Sequence, residues 1–91
     1  MRYDAKADIN QPEIVEGLRA AGCTVQHLHT VGQGVPDLLV SRHGNMYLME
    51  VKTAKGRLTK CEKEWIAAWD APVYIVRTIE EALEAVGFRG E

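Results

Sequence analysis

Two apolar runs, Leu38-Leu39-Val40 and Met46-Tyr47-Leu48-Met49, flank His43-Gly44-Asn45, and this pairing constrains the fold more than any other stretch of the chain. Gly and Asn tolerate the positive φ values of a tight reversal, so the segment has the turn chemistry of a hairpin. The entering run begins with Pro36, which lacks the N–H that a central strand needs and belongs at a strand start or edge. The leaving run ends in Glu50-Val51-Lys52. The two runs should be antiparallel neighbours, with Asp37 and Glu50 at the hairpin's open end.

Helix and strand signals fill in the rest. Asn10-Gln11-Pro12-Glu13 reads as a helix start, with Asn10 as N-cap and Glu13 closing a capping box, ahead of an apolar stripe of Ile14, Val15 and Leu18. Gly22 suits the left-handed residue that ends a helix, and Thr24-Val25-Gln26-His27-Leu28 alternates with the period of a strand. Gly32-Gln33-Gly34 breaks the chain before the hairpin. Thr59 and Glu62 form a second capping box, opening a helix that should bury Trp65, Ile66 and Trp69 against the sheet. Pro72 ends that helix. Val73-Tyr74-Ile75-Val76 reads as a buried strand, and Thr78 opens a last helix through Val86. The predicted order is αβββαβα, in one domain over residues 1–91, with loose ends at residues 1–8 and 89–91.

Composition narrows the function classes. At 46% hydrophobic and 26% charged, the chain is too apolar for a disordered protein, and its 91 residues leave room for a single modest core that a partner subunit would help. No apolar run approaches the roughly 20 residues of a membrane span, and Met1-Arg2-Tyr3-Asp4 lacks the core of a signal peptide, so a cytoplasmic location is expected. Cys23 and Cys61 form no paired motif and should be free thiols. A net charge of −2 argues against coating nucleic acid by bulk charge, but leaves room for a local basic surface.

Strand parity puts Glu50 and Lys52 on one side of the sheet, together with Met46 and Leu48. Isolated charges there are costly without a pairing or functional reason. With Asp37 alongside, the oxygen donors suit a hard cation such as Mg²⁺ or Mn²⁺, which binds phosphate and lowers the pKa of an attacking water, while Lys52 offsets phosphoryl charge. On spacing alone, Asp37 as a turn residue and Glu50–Lys52 as a surface ion pair is the competing account.

Gly34-Val35-Pro36-Asp37-Leu38-Leu39-Val40, the hairpin, Met49-Glu50-Val51-Lys52 and Gly56-Arg57-Leu58-Thr59 together resemble a VRR-NUC domain of the PD-(D/E)XK nuclease superfamily. The likeness is greatest to small stand-alone phage-type members, and it extends from Asn10 to Glu81-Ala82-Leu83. It implies an α/β restriction-endonuclease-like core, with a central mixed sheet flanked by helices. It also implies metal binding by Asp37, Glu50 and the Val51 carbonyl, with Lys52 assisting the nucleophile. The family's first-helix glutamate falls on Glu13, which the capping box also claims. Where members carry a glutamine in the second helix, this chain has Glu62, which accepts hydrogen bonds but cannot donate them when ionised, and which Thr59 can also use as a cap. Glu62 is therefore a catalytic candidate with a departure from the pattern.

Other residues carry less. Lys55, Arg57, Lys60 and Lys63 cluster near the proposed metal and suit a nucleic-acid backbone, against the alternative of a solvated surface. Arg19, Arg42 and Arg77 are too scattered to assign. His27, His29 and Cys23 fall short of a zinc ligand set. Trp65 and Trp69, one helical turn apart, could stack bases but fit a buried stripe better.

The resemblance thus implies a Mg²⁺- or Mn²⁺-dependent DNA endonuclease leaving 5′-phosphate and 3′-hydroxyl ends, acting as a homodimer on branched DNA such as Holliday junctions. The alternative is a non-cleaving DNA-binding module that retains the nuclease fold.

Overall fold

The computed structural model describes residues 2–90 and, within them, the side chains of residues 10–90. The elements are α1 (Arg2–Ala20), β1 (Thr24–His27), β2 (Leu38–Arg42), β3 (Asn45–Val51), α2 (Lys60–Ala68), β4 (Val73–Val76) and α3 (Ile79–Ala85), the order expected from the sequence. The four strands form one sheet in the order β1-β2-β3-β4. The β1–β2 and β2–β3 pairs are antiparallel, and β3–β4 is parallel. A parallel neighbour cannot be reached by a tight turn, so the chain crosses from β3 to β4 through α2.

The hairpin closes as its chemistry demands. His43 and Gly44 take φ of 52° and 83°, the positive pair of a two-residue type I′ reversal, and Arg42 pairs with Asn45 on either side of it. In this register Leu38 faces Met49 and Val40 faces Tyr47, so period-two alternation lines one face with them. The α1 stripe of Ile14, Val15 and Leu18, together with Ala82 and Val86 of the last helix and its cap, packs on that face to form the core. Gly17 permits this packing: a Cβ there would lie 2.3 Å from Cδ1 of Ile79 at the start of α3. Among the described residues, no helix is long and apolar enough to cross a membrane.

Several local expectations are corrected. Helix α1 does not start at Asn10 but runs from Arg2, with Pro12 inside it, so the Asn10–Glu13 capping box does not form and residues 2–8 are not a loose end. Arg89 and Gly90 carry no regular structure, and Met1 and Glu91 lie outside the described residues. Strand β4 is a sheet edge and not a buried strand: Val76 is buried, but Ile75 is 38% exposed. Helix α2 begins at the predicted Thr59 cap yet buries no residue, because the core forms on the opposite face of the sheet. Trp65 and Trp69 therefore stack on each other, centroids 4.7 Å apart, with Trp69 46% exposed instead of sealed in a core.

Candidate active site

The second sheet face carries the charges that parity placed there. Glu50, near the end of β3, is only 2% exposed and is the one buried charged residue among the described side chains. Asp37 stands just before β2, one residue ahead of the Leu38–Met49 pair, and so lies beside the end of β3. Its Oδ2 accepts the main-chain N–H of Val51 at 2.8 Å, which fixes the carboxylate at the sheet end. Lys52 follows β3; its N–H donates to the Val76 carbonyl, and its own carbonyl accepts from the side chain of Asn10 on α1. Asn10, the expected cap, instead ties the first helix to the site.

Helix α2 brings the third acid. Glu62 and Thr59 do form the reciprocal capping box, with Glu62 Oε1 accepting the Thr59 N–H at 2.8 Å and Thr59 Oγ1 accepting the Glu62 N–H at 3.2 Å. The same Oε1 lies 2.8 Å from Lys52 Nζ, while Glu50 Oε2 lies 3.5 Å from it. The helix cap and the contact with Lys52 thus share one oxygen of Glu62. Gly34 makes room for this arrangement. At φ +86°, it approaches the first turn of α2 so closely that a Cβ would sit 2.3 Å from the Cys61 carbonyl oxygen.

The electrostatics follow from burial and crowding. Burial, then the neighbouring Asp37 and Glu62 carboxylates, push the Glu50 carboxyl up to about 8, so it holds its proton near neutrality. Burial also raises Asp37, and the Glu62 charge adds to this; the Val51 N–H and Lys52 offset it only in part. For Glu62, burial is outweighed by Lys52, the Thr59 N–H and Glu50, which hold it below an ordinary carboxyl. For Lys52, burial is outweighed by the Glu62 and Glu50 partners, which hold its ammonium above the usual lysine value.

Other expected residues are not gathered here. Glu13 is exposed on α1, and no hydrogen bond or ion pair joins it to Asp37 or Glu50. Lys55, Arg57, Lys60 and Lys63 are exposed on the loop after Lys52 and on α2; Lys60 is 4.0 Å from Glu64. The His27 and His29 rings meet edge-on at 5.7 Å, and Cys23 is buried. Among the described residues, no group of three or more His, Cys, Asp or Glu side chains is arranged to hold a metal ion. Two carboxylates do fit Mg²⁺, which commonly takes one or two protein carboxylates and completes its shell with water and phosphate oxygens. Burial, and after it the crowding of carboxylates, keeps Glu50 protonated, and a divalent cation would relieve that crowding. Sequence reasoning missed Arg77, whose guanidinium reaches the loop that follows Lys52.

A mixed sheet with a buried glutamate and a lysine at the end of its third strand, and a half-buried aspartate just before the second, defines a class of small α/β domain. A solved VRR-NUC domain matches this chain with a TM-score of 0.67 and 25% identity, covering 89% of this chain and 94% of that one. No family model matches the sequence, and no match is found among curated proteins. The chain has the fold of a VRR-NUC domain, as its motifs led one to expect.

Proposed function

We propose that this protein is a metal-dependent DNA endonuclease, and the observation that carries the reading is the Asp37–Glu50–Lys52 group, with Glu50 buried, in a VRR-NUC fold. Asp37 and Glu50 would hold Mg²⁺ or Mn²⁺, with the Val51 carbonyl as a further donor and Glu13 as a more distant candidate. A cation bound there supplies charge to polarise a phosphodiester and acidify a water. The chain's own groups do the rest. The Val51 N–H keeps the Asp37 carboxylate oriented at the sheet end. Glu50 gives up its proton when positive charge arrives beside it. Lys52, kept cationic by Glu62 and Glu50, stands where it can neutralise phosphoryl charge as the bond to the leaving oxygen breaks. Lys55, Arg57, Lys60 and Lys63 would hold the strand backbone. The proposal extends, on the resemblance of the motifs alone, to branched DNA as substrate and a phage-type homodimer as the working form.

The test is cleavage of labelled four-way junction, flap, duplex and single-stranded DNA with Mg²⁺, with Mn²⁺ and with chelator. Metal-dependent cuts leaving 5′-phosphates, lost in Lys52→Ala, are expected; equal cleavage by wild type and Lys52→Ala would overturn the assignment.

One observation favours a second reading, a DNA-binding module that no longer cleaves: the Lys52 ammonium is already paired at 2.8 Å with a carboxylate where relatives carry a neutral amide. Glu62→Gln separates the two. If wild type is a slow nuclease, the variant should cut several-fold faster, because negative charge beside the phosphate is removed and Lys52 is released. If wild type binds DNA without cutting and Glu62→Gln cuts, the module reading is correct for the natural chain.

A further inference from the structure

Arg77 directly follows β4, yet its guanidinium reaches back across more than twenty residues to the loop after Lys52. Its Nη1 donates to the carbonyl oxygens of Thr53 at 2.6 Å and Gly56 at 2.7 Å, and stands 3.5 Å from that of Ala54. The Gly56 N–H donates to the same Thr53 oxygen at 3.0 Å, closing the turn. Arg77 is itself anchored, its N–H accepted by Glu81 Oε1 at 2.7 Å in the first turn of α3. No carboxylate pairs with this guanidinium among the described residues; its partners are main-chain oxygens.

A loop whose carbonyls are gathered on one cation is left with its donors to spend. The main-chain N–H groups of Ala54, Lys55 and Arg57 have no intramolecular acceptor among the described residues. The Lys55 and Arg57 side chains on the same loop are exposed. The adjacent free amides of Ala54 and Lys55, a third at Arg57 and two cationic side chains beside them are the kind of donor set an anion takes. The loop begins at the residue after Lys52, whose ammonium lies 3.5 Å from Glu50.

We propose that Arg77 is a positioning residue that shapes residues 53–57 into a phosphodiester-binding loop, which takes a backbone phosphate next to the cleaved one. The phosphate chemistry follows from the loop, and the nucleic-acid source rests on the nuclease reading.

The experiment pairs two measurements on the full chain. In the first, amide resonances are followed during titration with inorganic phosphate. In the second, anisotropy gives affinity for labelled duplex DNA in chelator over a salt series. Wild type, Arg77→Lys, Arg77→Gln, Lys55→Ala and the Lys55→Ala/Arg77→Gln double variant are compared. The Ala54, Lys55 and Arg57 amides should shift in wild type and stay still in Arg77→Gln. Both Arg77 variants should weaken DNA binding about tenfold and lower the salt slope by about one, because a lysine cannot chelate separate carbonyls. The double variant should bind no worse than its weaker parent, since Arg77 acts through the loop.

Wild-type affinity in Arg77→Lys would show that charge alone matters and overturn the proposal. Multiplying losses in the double variant would show independent contacts and do the same. If the Arg77 variants fail to fold, the wild-type titration decides: DNA binding with unmoved loop amides is a negative result for the loop. Phosphate shifts at the loop without any DNA binding would retain the loop and remove the nuclease reading instead.

Discussion

Asp37 accepts a main-chain hydrogen bond and adds charge to a crowded site, and one substitution separates these roles. Asp37→Asn keeps an acceptor for the Val51 N–H and removes a like-charge neighbour of Glu50, so its melting temperature should equal or exceed that of wild type, while cleavage falls about a hundredfold or more. Asp37→Ala leaves the N–H unsatisfied and should also cost about 1–3 kcal/mol. Thermal melts beside cleavage assays check this; equal destabilisation by Asn and Ala would assign Asp37 to structure. At this scale parity made the Glu50–Lys52 pairing legible, and the two side chains do meet at 3.5 Å. The hold of Glu62 on Lys52 was not legible, because a capping box already accounted for that carboxylate and nothing local says that a helix cap faces a strand end. Arg77 was illegible for a related reason: its partners are carbonyl oxygens, which every residue has.

Elements meet most closely where α2 begins. The loop glycine at position 34 needs both a positive φ and an absent Cβ, since a methyl group would meet the Cys61 carbonyl at 2.3 Å. Gly34→Ala should cost at least about 1–2 kcal/mol from the backbone conformation alone. It should also push the first turn of α2, and Glu62 with it, away from Lys52. The expected outcome is a lower melting temperature and a lower Lys52 pKa by NMR; an unchanged Lys52 resonance would mean that α2 does not depend on this contact. The break at Gly32-Gln33-Gly34 was readable as a break, but the close approach was not. Helix α1 shows the converse. A sound capping sequence at Asn10 was overridden because the helix continues through it, and the side chain found an acceptor at Lys52 instead. The free edge of β1 is also managed by side chains: Arg19 Nη2 donates to the Val25 carbonyl and Gln26 Nε2 to that of His27, occupying groups that would otherwise recruit another strand.

For the molecule as a whole, the protonated Glu50 sets how stability responds to pH. Its folded pKa of about 8 lies above the ordinary 4.5, so the folded state binds the proton more tightly than the unfolded chain does. The stability from this group is complete below about 4.5 and is lost as pH rises through about 8. Asp37 shifts in the same direction, whereas the lowered Glu62 acts only at acid pH. In chelator the protein should therefore melt lower at pH 8.5 than at pH 6, and Glu50→Gln should flatten that difference. Added Mg²⁺ should raise the melting temperature more at the higher pH, where the cation no longer competes with a proton. The same pH slope in wild type and Glu50→Gln would place its origin elsewhere.

The sequence by itself determined the order of elements, the hairpin and its turn, the core stripe of α1, the α2 and α3 caps, and the shared face of Glu50 and Lys52. Each of these is decided by turn chemistry or periodicity within a few neighbouring residues. Only the tertiary structure decided that Glu62 shares one oxygen between a helix cap and Lys52, that Asn10 and Arg77 serve the loop after β3, and that α2 leaves Trp69 partly in solvent. Those outcomes depend on how a helix docks on a sheet and which main-chain oxygens it leaves open, and docking is settled by the balance of core burial over the whole chain.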